Sequence, residues 1–139
     1  MGSEDELPIR LVLLDDHDIA RGQSVARLAK EPRLDIVGDA ADSNKALRLA
    51  QTLRPDAVLV ETRRLDKRSV EAIAALAALA DGTRPAIVAY LEILHRGDWP
   101  DARAAGADDL LLKEMPSGTL AGELRRIVDR VREDGRPTP

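Results

Sequence analysis

Two adjacent carboxylates, Asp15 and Asp16, follow the apolar run Ile9–Leu14 (IRLVLL). Nothing structural calls for two acids there. Two acids with a third nearby make a hard-oxygen site suited to magnesium. The plainer alternative is that one Asp caps a following helix and the other is solvated. Glu61 closes a second apolar run, Ala57–Val60, and Lys113 follows a third, Leu110–Leu112. Taken singly, Glu61 is an ordinary surface charge. An ammonium at the margin of a core, as Lys113 would be, asks for an anionic partner. If the three runs are neighbouring strands, a diacid, an acid and a lysine converge on one pocket.

The elements that must position these groups are legible from periodicity. Strand-length aliphatic runs lie at Ile9–Leu14, Leu34–Val37, Ala57–Val60, Ala86–Leu91 and Leu110–Leu112. The third and fourth are continuous rather than alternating, as in strands covered on both faces. Helical stripes lie between them. Ser43 can cap a helix carrying Ala46, Leu47, Ala50 and Leu53, ended by Arg54-Pro55. Val70, Ile73, Ala74 and Ala77 make a second stripe. Leu120, Leu124, Ile127, Val128 and Val131 make the best spaced one, with Ser117 or Thr119 as cap candidates. Asp18 to Lys30 reads as a looser helix weakened by Gly22 and Ser24, and Gly97–Ala105 as a short polar one interrupted by Pro100. Five strand–helix alternations with right-handed crossovers predict an α/β fold, a flavodoxin-like (βα)5 doubly wound parallel five-stranded sheet with helices on both faces. In such sheets function sits beyond the carboxyl ends of the strands. Gly38 and Gly106 read as turn residues, and His17 as a solvated helix start.

Composition narrows the function classes. The chain has 139 residues, 44% hydrophobic and 33% charged, enough for one domain with a filled core. One Trp, one Tyr and no Phe argue against a stacking platform for single-stranded nucleic acid. Zero Cys excludes disulfides, thiolate zinc and cysteine nucleophiles, and suits a cytoplasmic setting. A formal net charge of −4 makes the domain a poor global match for DNA phosphates. No run approaches the roughly 20 apolar residues of a membrane span, so no membrane association is expected. No nucleophile–base pair stands at the strand ends, so the chain is not expected to be an enzyme and no catalytic residue is assigned.

IRLVLLDDHDIARG (Ile9–Gly22), EPRLDIVGDAADSNKAL (Glu31–Leu47), RPDAVLVETR (Arg54–Arg63) and AGADDLLLKE (Ala105–Glu114) together resemble a two-component response-regulator receiver domain. The type is the one that precedes a NarL/LuxR-type DNA-binding domain, and the resemblance covers roughly Ile9 to Val131. It implies that the acidic pair binds magnesium and that an Asp ending strand three accepts a phosphoryl group. The lysine would contact the phosphate, a Thr or Ser ending strand four would close over it, and an aromatic on strand five would swing inward. Asp15 and Asp16 match the acidic pair and Lys113 the lysine. Glu61 stands where the phosphoacceptor Asp belongs, Leu91 where the hydroxyl belongs and Leu110 where the ring belongs. Arg64-Leu65-Asp66 replaces the usual Met-Pro-Gly.

These departures point to an atypical, pseudo-receiver domain. One extra methylene moves the Glu61 oxygen by about 1.5 Å, and a misplacement on the order of 1 Å costs roughly 100-fold in a positioned reaction. Without the hydroxyl and the ring, nothing reports a phosphoryl group. Glu61 is then either a built-in mimic paired with Lys113 or one half of a structural ion pair. A weak Mg2+ site of Asp15, Asp16, Glu61 and the Arg63 carbonyl remains open, unless Arg63 and Arg64 neutralise the acids. The expected organisation is an acidic tail at 1–8, the domain at 9–132 and a linker at 133–139. The expected role is a phosphorylation-independent regulatory and dimerisation module of a transcriptional regulator. It would form a homodimer in which Asp101, Asp108 and Asp109 face the arginines of the last helix. DNA would be bound only through an output domain beyond this chain, and a small molecule or a protein would be the effector. The alternatives are a working phosphoacceptor receiver and a flavodoxin-like domain binding a flavin or other small ligand.

Overall fold

The computed structural model describes residues 7–80 and 84–134. The expected tail and linker fall largely outside these residues. Five strands, β1 (Ile9–Leu14), β2 (Leu34–Ala40), β3 (Ala57–Thr62), β4 (Ala86–Leu91) and β5 (Asp109–Leu112), alternate with five helices. The helices are α1 (Asp18–Leu28), α2 (Ser43–Leu53), α3 (Lys67–Ala77), α4 (Asp98–Ala105) and α5 (Ser117–Asp134). All strand pairs are parallel, in the order β2-β1-β3-β4-β5. This is the doubly wound sheet expected from the alternation of apolar runs and helical stripes.

The period of two along each strand sorts the core into two layers. Leu11, Leu13, Leu59, Val88 and Tyr90 pack with Leu28 of α1 and Leu124 and Ile127 of α5. Val12, Val58, Val60, Ile87 and Leu91 pack on the other face with α2, α3 and α4. The α5 stripe buries as its spacing predicts, with Leu120, Leu124, Ile127 and Val128 inside.

Four expectations need correction. The cap of α2 is Asp42, whose carboxylate accepts the Lys45 N–H, and Ser43 is the first helical residue. Of the Val70, Ile73, Ala74 and Ala77 stripe, Ile73 is buried and Ala77 packs half-buried against the core, but Ala74 is exposed, and the buried face of α3 is Ser69, Ala72, Ile73 and Leu76. In an alanine-rich helix several faces look apolar, and the Asp66–Ser69 capping box sets which one turns inward. Gly38 lies inside β2 beside a register shift, with Leu49 packed over it, and is no turn residue. Pro100 does not interrupt α4; it sits in the first turn, where its missing N–H has no intrahelical partner to lose.

Gly106 ends α4 at φ +116, with a Cβ position only 2.4 Å from the Ala77 Cβ. It closes α4 against α3 and sends the chain into β5, which carries Lys113. No helix among the described residues is long and apolar enough to cross a membrane.

Candidate functional site at the strand ends

β1 is buried along nearly its whole length, so its carboxyl end emerges beside β3 with Asp15 still 97% covered, at 3% exposure. The Asp15 carboxylate accepts the backbone N–H of His17 at 2.9 Å, and its carbonyl accepts Arg21 Nη1 at 2.7 Å. His17 is the N-terminal flank of α1 and is exposed, as its position suggested. Asp16 turns outward, with His17 Nδ1 at 2.9 Å and the Arg68 guanidinium bonded to its other oxygen.

Glu61 is the fifth residue of β3 and shares the face of Ala57 and Leu59, toward α1. Its side chain is fully buried. Oε1 accepts the Ser24 hydroxyl at 2.6 Å and lies 3.3 Å from Lys113 Nζ. Oε2 is buried without a hydrogen-bond partner. Burial pushes the Glu61 carboxyl above the usual carboxylate range; Ser24 and Lys113 oppose that shift and Asp15 adds to it. The folded state therefore stabilises the protonated form. That contribution is present below the ordinary glutamate range and is lost as pH rises through the raised value. Glu61→Gln, which cannot ionise, is expected to gain stability relative to the native protein as pH rises. Denaturant midpoints measured across that range check the sign.

Tyr90 is the register partner of Glu61 across β3 and β4, and it is fully buried on the same face. Lys113 Nζ lies 5.9 Å from its ring centroid, a cation–π distance. The Tyr90 hydroxyl accepts Arg27 Nη2 at 2.8 Å and so is committed to α1. Leu91, where the resemblance places a hydroxyl, pairs instead with Thr62 and faces the opposite core layer. Leu110 pairs with Ala89 and packs against that same layer. The side chain beside Glu61 is thus a ring bonded to α1, and neither leucine touches the Glu61 face.

Of the weak magnesium set, Asp15, Asp16 and Glu61 line one cavity, whereas the Arg63 carbonyl is turned to other partners. The Arg63 carbonyl accepts the backbone N–H groups of Glu92, at 3.1 Å, and Ile93, at 2.8 Å. Glu61 Oε1 is held by Ser24 and Lys113, and Asp16 is held by Arg68. The third group brought to the acidic pair is His17: Asp15, Asp16 and His17 offer ligand atoms within 4.8 Å of one another. The guanidinium that reaches the diacid is Arg68's, not that of Arg63 or Arg64. A cavity of about 440 Å³ opens beside these groups, lined by Leu14, Asp15, Asp16, Val60, Arg68 and Ala72 among others.

Ser24, Arg27 and Arg68 were not legible as site residues. Ser24 reads in the sequence as a helix-weakening residue. Its signal is a serine on the inward stripe of α1, where a buried hydroxyl must find an acceptor. Arg68 sits among basic neighbours, and only the capping box that fixes the start of α3 gives it its direction.

No family model matches the chain. It is 34% identical over 119 residues to protein-glutamate methylesterase/protein-glutamine glutaminase 3 of Myxococcus xanthus, covering 86% of this chain and 33% of that protein. It is 29% identical over 119 residues to the nitrate/nitrite response regulator protein NarL of Escherichia coli K12, covering 86% of this chain and 54% of that protein. The chain thus spans a third to about half of these relatives. Among solved structures, a LuxR-family two-component response regulator from Aurantimonas sp. superposes with a TM-score of 0.73 at 23% identity, over 88% of this chain and 86% of that one. A CheY-like receiver domain protein from Methanospirillum hungatei superposes at 0.68 with 17% identity, over 94% and 100%. The chain folds as a response-regulator receiver domain. Asp15, Asp16, Glu61 and Lys113 stand at the carboxyl ends of three of its strands.

Proposed function

We propose that this receiver domain regulates an attached output domain without being phosphorylated, Glu61 serving as a fixed anion in place of an incoming phosphoryl group. The observation that carries this reading is the state of the Glu61 carboxylate. It is fully buried, with one oxygen shared by Ser24 and Lys113. Phosphoryl transfer needs an acceptor oxygen open to the donor and in line with its phosphorus, and both Glu61 oxygens are covered. The lysine that would contact a phosphate already has its counter-ion. Incubating the protein with Mg2+ and acetyl phosphate and reading the intact mass is expected to show no phosphoryl adduct. An adduct released by a Glu61→Gln change would overturn the reading.

The domain would act in the cytoplasm as a homodimer, with its effector a small molecule or a protein. Within one chain Asp109 already lies near arginines of α5, and Asp108 pairs with Arg84, ahead of β4. Arg84 lies 3.3 Å from Asp108, and Arg126 and Arg130 lie 3.8 and 3.7 Å from Asp109. A dimer through this face would exchange those contacts or leave them in place and use exposed groups such as Asp101. Sedimentation across concentration checks it: a dimer whose dissociation is unchanged by salt would count against an ionic interface.

The output domain would be a DNA-binding one, as the resemblance to NarL/LuxR-type regulators implies. A second reading is favoured by the methylesterase relatives, whose similarity also falls on about a third of their length. In that reading the output is catalytic and the receiver remains non-enzymatic. DNA binding and esterase assays on the full-length polypeptide separate the two.

A further inference from the structure

The acidic pair has a cationic side chain of its own beside it. Arg68, the second residue of α3, reaches across the cavity and bonds Asp16 Oδ2. His17 Nδ1 stands 2.9 Å from the other Asp16 oxygen, and the His17 N–H is bonded to Asp15. Of the other candidate donors, Glu61 has one oxygen, Oε1, engaged by Lys113 and Ser24, and the Arg63 carbonyl is taken by the chain after β4.

We propose that Arg68 is a built-in cation that occupies the place of the divalent ion at the acidic pair and ties the start of α3 to the carboxyl end of β1. The proposal rests on the reading that the domain works without phosphoryl chemistry, the step for which the ion would be needed. A guanidinium suits the position because it is charged at every working pH and presents N–H donors in a fixed fork to a carboxylate. A cation in the first turn of a helix opposes the helix dipole. Lys67 and Arg68 both sit in that turn of α3, and the contact with Asp16 compensates the second of them. The arrangement gives the site an internal cation at β1 to match its internal anion at β3, so its charge balance needs nothing from solution. It also couples α3, the helix that packs against α4, to the strand-end site.

The test is a titration of Mg2+ into the native protein, Arg68→Ala and Arg68→Lys, followed by calorimetry and by amide shifts at residues 15–17. The Arg68 side chain is 77% exposed, so its removal leaves the core intact. A unit positive charge about 5 Å from a divalent ion weakens binding roughly tenfold even at the dielectric of water. Arg68→Ala is therefore expected to bind Mg2+ about tenfold more tightly than the native protein, and Arg68→Lys to stay close to native. Equal affinity in the native protein and Arg68→Ala, or no binding by either, would overturn the proposal. Acetyl phosphate labelling reads Glu61 and this titration reads Arg68, so either reading can fail alone.

Discussion

Lys113→Ala is expected to lower the stability of the domain by about 3 kcal/mol at neutral pH, in the range for breaking one side of a buried ion pair. Glu61 is fully covered and Lys113 is 14% exposed, so water cannot take over the lost ammonium's role at Glu61 Oε1. The ring of Tyr90 loses its cation at the same time. The loss depends on pH, and its sign follows from the raised Glu61 value. Ser24 and Lys113 both oppose that rise, so removing Lys113 drives the Glu61 value higher still. Below the ordinary glutamate range Glu61 is protonated in both folded and unfolded chains, and the variant should lie closest to native. As pH rises, the folded variant must hold either an unpaired charge or an extra proton, and the gap widens. Denaturant unfolding from acid to neutral pH reads it directly. Adding Glu61→Gln to Lys113→Ala should recover most of the loss, because a neutral amide leaves no buried charge behind and still accepts the Ser24 hydroxyl. A difference that stays flat with pH would mean that Glu61 and Lys113 are not coupled in the folded protein.

Gly106→Ala carries the other large effect, an expected loss of about 3 kcal/mol from two independent causes. The backbone there stands at φ +116, where an L side chain is strained by roughly 1–2 kcal/mol. The added Cβ would also meet the Ala77 Cβ at 2.4 Å, and neither carbon is the end of a flexible side chain. Overpacking of that kind costs about 1–3 kcal/mol. Ala77→Gly should relieve the second part and leave the first, so the double variant is expected to lie between the native protein and Gly106→Ala. Thermal unfolding of the three proteins separates the parts.

What could be read from the residues, and what could not, divides along physical lines. The ends of β1 and β4 are marked by the change from apolar to charged residues, and both match the observed spans. β2 runs on through Gly38, Asp39 and Ala40. It is an edge strand, and exposure on one side relaxes the demand for apolar residues that makes a buried strand visible. The inward face of α3 was misread because alanine leaves the stripe ambiguous until Asp66 and Ser69 fix the start of the helix. Asp15, Asp16, Glu61 and Lys113 were legible as a group because each breaks an aliphatic run. Their partners were not, because Ser24 and Arg68 come from helices whose rotation about their axes is a tertiary property. The position of Leu91 shows the same limit. A shift of one residue along β4 exchanges the two faces of the sheet, and the strand pairing sets Tyr90, not Leu91, beside Glu61.

The tyrosine changes how the site is understood. The chain has a single Tyr, and its hydroxyl is bonded to Arg27 of α1 while its ring faces Lys113. Ser24 and Arg27 lie one turn apart on α1, so the helix is held at two points to β3 and β4. A phosphoryl group arriving at this corner would have to break the Ser24 bond and displace Lys113 before it found a hydroxyl to pull. The fixed anion and the fixed helix are two consequences of one set of contacts.

The most direct test of that claim is the amide spectrum of the native protein recorded with and without Mg2+ and beryllofluoride, which stands in for a phosphoryl group on a carboxylate. With Glu61 already bonded to Ser24 and Lys113, the signals of residues 24, 61, 90 and 113 are predicted to stay where they are. Saturable shifts at those four residues would show that the Glu61 carboxylate can be reached and rearranged, and would contradict the account.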